Sequence, residues 1–86
     1  TLLRMAQEFR KRQEEEELIK RYEENLKQNQ HNFFDIEAYE TIINYYLEKS
    51  KYKKALTAVE QAIDLYPFST ELLTIKAQIL TNLQRY

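Results

Sequence analysis

Glu37, Glu40, Thr41, Asn44 and Glu48 recur at spacings of three and four residues. A helix over this stretch would therefore present carboxylate, hydroxyl and amide groups on one face. Paired carboxylates such as Glu37 and Glu40 can do acid–base work only where an apolar pocket shifts one of their pKa values, and no such pocket is evident in the surrounding residues. The lone histidine, His31, lies in a polar stretch of a chain without cysteine, so no metal-ligand set is legible around it. The acidic run Glu14–Glu17 lacks the spacing of a calcium-binding loop and reads as the solvated face of a helix. Lys49, Lys51, Lys53 and Lys54 form the one basic cluster, with Tyr45, Tyr46 and Tyr52 nearby. An RNA-binding patch would use such residues, but a helix–turn junction also favours lysine through solvation and the helix dipole. The expectation is a protein without catalytic, cofactor-binding or metal-ligating residues, and not an enzyme.

Composition narrows the elements that could position these groups. The chain has 86 residues, 43% hydrophobic and 31% charged, which suits one small folded unit rather than a disordered segment. It has no glycine, where average usage would supply roughly six. That removes the glycine-rich phosphate loop, the dinucleotide fingerprint, the nucleophile elbow and the Asn-Gly hairpin. With a single proline as well, long helices joined by short turns remain. Thirteen basic and fourteen acidic residues leave a net charge of −1, which points to neither a nucleic-acid nor a membrane partner. No apolar stretch reaches the length of about 18 residues needed to span a bilayer, and residues 1–15 do not resemble a signal peptide. A cytoplasmic location is the corresponding expectation.

Four helices can be placed. The first runs from about Leu2 to Lys27, with apolar groups at its two ends (Leu2, Leu3, Met5, Ala6, Phe9 and Leu18, Ile19, Tyr22, Leu26) and none from Arg10 to Glu17. Glu8–Arg12, Glu16–Lys20, Glu17–Arg21 and Glu23–Lys27 are acid-before-base pairs that would support the solvated middle. A polar stretch, Gln28 to Asn32, stops that helix. Asp35 is a good N-cap for the next, with Phe34 and Tyr39 at the positions of a hydrophobic staple. From Ile36 to Glu48, Tyr39, Ile42, Ile43 and Tyr46 follow the helical period. After the turn Lys49-Ser50-Lys51, a third helix from Tyr52 to Leu65 carries Ala55, Leu56, Val59, Ala62 and Ile63 toward a core. Pro67 ends it, and Ser69 caps a fourth helix from Thr70 to about Leu83.

At an offset of about 34 residues the chain echoes itself: Tyr39 falls on Leu73, Ile43 on Ala77, Tyr46 on Leu80, Lys51 on Arg85 and Tyr52 on Tyr86, while Ile42 meets Lys76. A period of this size marks helix–turn–helix solenoids. On Tyr39, Ile42-Ile43, Tyr46, Ala55, Val59, Ala62 and Pro67 the chain resembles a tetratricopeptide repeat. Ala55 and Ala62 would let two helices cross closely, and Tyr39, Tyr46 and Tyr52 would fill the volume beside the crossing. Ile43 stands where the family has a small residue, and Ser50 where it has the turn glycine, which predicts a left-handed serine. The expected fold is all-α, a helix-turn-helix solenoid fragment with a long N-terminal capping helix. Residues 1–29 form that helix, 36–69 one repeat, and 70–86 the first helix of a following repeat. The capping part, Leu18–Lys27, is expected to shield Tyr39, Ile43 and their neighbours.

The last helix carries two apolar rows. Leu73, Ala77 and Leu80 are expected to pack on the preceding helix pair. That would leave Leu72, Ile75, Ile79 and Leu83 as a contact stripe for a second chain, with a homodimer as the expected assembly. The resemblance implies a non-enzymatic protein–protein interaction scaffold that holds a peptide or partner helix in a concave groove. Its groove positions fall on Glu37, Glu40, Thr41, Asn44 and Glu48 and on Thr74, Gln78 and Thr81. Members that clamp a C-terminal carboxylate use Lys and Asn on this face. Asn44 fits, but Glu40 stands where the Lys would be, so a basic or neutral segment is the expected ligand. The competing expectation is a structural homo-oligomerisation module with no ligand groove. A heptad through Leu2, Met5, Phe9, Arg12, Glu16, Ile19, Glu23 and Leu26 is broken by three charged residues, which argues against a long two-stranded coil.

Overall fold

A computed structural model of the chain describes residues 1–28 and 33–84. His31, the 29 boundary of the first helix, and the Arg85 and Tyr86 positions of the repeat lie outside the described residues. The fold is all-α: α1 (Leu2–Lys27), α2 (Ile36–Glu48), α3 (Tyr52–Leu65) and α4 (Thr70–Gln84), with no strand among the described residues. The chain divides into two compact units, Thr1–Asn32 and Phe33–Tyr86.

The first unit contributes α1. Every residue from Thr1 to Glu14 is exposed. Glu8 pairs with Arg4 at 3.6 Å rather than with Arg12. Both side chains are well solvated, so the pair adds little to stability.

In the second unit, each helix start and stop has a local cause. Asp35 Oδ1 accepts a hydrogen bond from the Ala38 backbone N–H at 2.8 Å, satisfying one of the orphan donors of α2. Phe34 and Tyr39 close the staple, their rings edge to face with centroids 5.7 Å apart. At the other end of α2, the Lys51 N–H donates to Tyr46 O at 2.8 Å and the Ser50 N–H to Leu47 O at 3.0 Å. These two bonds make a Schellman motif with Ser50 at its left-handed position, φ 57°. A serine there lacks glycine's freedom. Ser50→Gly is accordingly expected to raise stability by about 0.5–1 kcal/mol, the relief of the left-handed strain less glycine's larger unfolded-state entropy. A rise in the urea midpoint at unchanged slope would show it; a fall would mean the turn is not strained.

Tyr66 ends α3, and its hydroxyl donates to the carbonyl of Phe34 at 2.9 Å. The end of α3 therefore lies beside the start of α2, which makes the two helices antiparallel. Pro67 follows, and Ser69 Oγ accepts from the Leu72 N–H at 3.3 Å to start α4. Between α2 and α3 the core is Tyr39, Ile42, Ile43 and Tyr46 with Ala55, Ala58, Val59 and Ala62, all buried. Burial raises the pKa of the Tyr39 phenol, with the neighbouring Tyr66 adding to the rise.

The packing of α4 reverses the expected assignment of its faces. Leu72 and Ile79 are fully buried, and Ile75 and Leu83 are half-buried, whereas Leu73 is 48% and Leu80 39% exposed and Ala77 is exposed. The stripe Leu72, Ile75, Ile79 and Leu83 is thus an internal contact and not an open oligomer surface. The cause lies in the order of neighbours. Leu73, Ala77 and Leu80 correspond to Tyr39, Ile43 and Tyr46 of α2, which meets the helix that follows it. By contrast, α4 packs on α3, the helix that precedes it, and so turns a different flank inward. Lys76, the one mismatch in the echo, sits half-buried and reaches Glu60 of α3 at 3.8 Å.

Candidate binding groove

Both α2 and α4 pack on α3, and each carries polar residues away from its buried face. On α2 these are Glu37, Asn44 and Glu48, exposed, with Glu40 and Thr41 half-buried. On α4 they are Thr74, Gln78 and Thr81, all exposed. Positions three, four and seven apart keep each row on one side of its helix.

The threonines are partly committed. Thr41 Oγ1 donates to Glu37 O at 3.1 Å, Thr74 Oγ1 to Thr70 O at 2.9 Å and Thr81 Oγ1 to Ala77 O at 2.9 Å. With each proton spent on its own helix, these hydroxyls offer a ligand only acceptor lone pairs. The carboxylates also only accept when ionised. The carboxylates and the committed hydroxyls therefore meet donors, and the amides of Asn44 and Gln78 are the donors within these two rows.

The pKa of Glu40 is raised, first by desolvation, then by the charge of Glu71 and then by that of Glu37. Glu71 stands in the first turn of α4, so a charge of that helix acts on a side chain of α2. Sequence reasoning did not place Glu71 in the groove. The signal was present, since the repeat offset carries Glu37 onto Glu71.

The basic cluster lies elsewhere, at the turn between α2 and α3. Lys49 Nζ sits 5.0 Å from the centroid of the Tyr45 ring and Lys54 Nζ 5.9 Å from that of Tyr46, both within cation–π range. Ser50, Lys51, Tyr52, Lys53, Lys54 and Leu83 line an open cavity of about 670 Å3 that includes none of the groove residues. Among the described residues no three His, Cys, Asp or Glu side chains are grouped to hold a metal ion. No described helix is long and apolar enough to cross a membrane. Compared with protein-family models, with curated proteins and with solved structures, the chain matches none.

Proposed function

We propose that the second unit is a tetratricopeptide-like helical repeat followed by the first helix of another. In this reading the chain is a non-enzymatic scaffold that binds an extended basic peptide between α2 and α4. The repeat reading is supported by the burial of Ala55 and Ala62 in α3, the antiparallel α2–α3 pair, the left-handed Ser50 and the internal echo. The observation that carries the ligand class is that the charges of Glu37 and Glu71 both act on Glu40, on rows whose threonine protons are already spent.

A peptide array graded in net charge tests this. Basic members should bind best, and Glu40→Lys should weaken them about tenfold or more by putting like charge against like. The pH dependence has a definite sign. Glu40 takes up its proton at a higher pH than an ordinary glutamate, so a fall in pH removes its negative charge from the groove and basic peptides dissociate. Indifference of the array to charge, or full binding by Glu40→Lys, would sink the reading.

A second reading rests on the open row Leu73, Ala77 and Leu80. Here the chain is a homo-oligomerisation module with no ligand groove, and α4 meets a second copy through that row. Sedimentation and peptide binding separate the two: this reading gives an oligomer that Leu80→Glu dissociates and no capture of basic peptides, whereas the groove reading gives capture that Leu80→Glu leaves untouched.

A further inference from the structure

The net charge of −1 hides a segregation along α1. Its first three turns hold Arg4, Arg10, Lys11 and Arg12 against the single acid Glu8, whereas Glu14 to Glu17 follow as an unbroken acidic run. On a helix, Leu2, Met5, Ala6 and Phe9 fall within an arc of about 100°. Arg10 and Arg12 flank that arc on its two sides, and Arg4 and Lys11 project from the far face. All these residues are exposed: Leu2 is 85%, Leu3 72%, Met5 65% and Phe9 63% accessible. Leu3 lies just beyond Arg10, and the three large apolar side chains of the arc, Leu2, Met5 and Phe9, so open to water and rimmed by cations, are the pattern of a helix that lies in a lipid interface.

We propose that residues 2–12 of α1 form an interfacial docking segment for an anionic membrane surface. The apolar arc enters the headgroup layer, while Arg10 and Arg12 snorkel to the lipid phosphates and carboxylates at its edges. Charge selects this occupant. Arg10 and Arg12, beside the arc, face a negative layer together, while Arg4, which pairs with Glu8, and Lys11 stay on the water side and add longer-range attraction. A second copy of the same segment would set cations against cations, and the lysine cluster at Lys49–Lys54 would repel it in the same way. The segment is too short and too charged to span a bilayer, so the association is peripheral and reversible.

Flotation of the 86-residue chain with vesicles tests this. Phosphatidylcholine vesicles containing about 30% phosphatidylserine should hold the protein about tenfold better than pure phosphatidylcholine. Raising salt from about 0.1 M to 1 M, which shortens the screening length from about 10 Å to 3 Å, should release most of it. Phe9→Asp and the pair Arg10→Glu with Lys11→Glu alter only exposed residues, and unchanged helicity by circular dichroism confirms that each remains folded. Both should abolish the anionic preference. Equal flotation on the two vesicle types, no flotation, or binding unaffected by these variants overturns the proposal. So does a solution dimer that Phe9→Asp dissociates, which would assign the arc to a second copy.

Discussion

Leu72→Ala is expected to cost about 2–5 kcal/mol, and Leu73→Ala no more than about 0.5 kcal/mol, although the two leucines are adjacent. Leu72 is wholly buried, so its removal forfeits transfer free energy and leaves a cavity in the α3–α4 contact. Leu73 is 48% exposed and surrenders little of either. The loss at Leu72 is a large share of the roughly 5–15 kcal/mol that holds a domain together, so that variant should be near the edge of folding. Urea unfolding of the pair reads the difference directly. The reverse order, with Leu73 the costly position, would mean that α4 packs through the row that corresponds to Tyr39, Ile43 and Tyr46.

The second large effect concerns close approach. Ala62→Leu is expected to destabilise by about 1–3 kcal/mol, because Ala62 is fully buried and three extra carbons have no room beside it. Leucine is nearly as good a helix former as alanine, so the loss reports crowding and not propensity. For a chain of this size it lowers the thermal midpoint by about 4–8 °C per kcal/mol. Ala77→Leu is the matched control: Ala77 is exposed, and the same substitution there should fall within about 0.5 kcal/mol of zero. A neutral Ala62→Leu would remove the tight crossing on which the repeat proposal depends.

Helix boundaries were legible because each has a local chemical marker. Asp35 and Ser69 supply side-chain oxygens for orphan N–H groups, Pro67 forbids continuation, and Ser50 falls where a left-handed residue is required. The periodic rows Tyr39, Ile42, Ile43, Tyr46 and Ala55, Val59, Ala62 were equally readable, since one helical face can be traced without knowing its neighbour. The orientation of α4 was not. Two apolar rows of similar composition lie on one helix, and only the position of α3 decides which of them loses water. The influence of Glu71 on Glu40 and the hydrogen bond from Tyr66 to Phe34 depend in the same way on where separate helices come to rest. For the polar rows of α2 and α4, the helix that bears each residue could be assigned, but the action of a charge on one helix upon a side chain of the other could not.

Antiparallel α2 and α3 are fastened at one end by the Tyr66 hydroxyl and at the other by the Ser50 turn, and among the described residues α3 is the helix on which α4 packs. The middle helix is therefore the mechanical keystone. Prying α4 loose leaves a two-helix hairpin with both clasps intact, whereas any event that unseats α3 releases both flanking rods at once. A ligand that bridges the flanking rods would thus act as a third clasp, and its grip would be felt as resistance to the opening of α4.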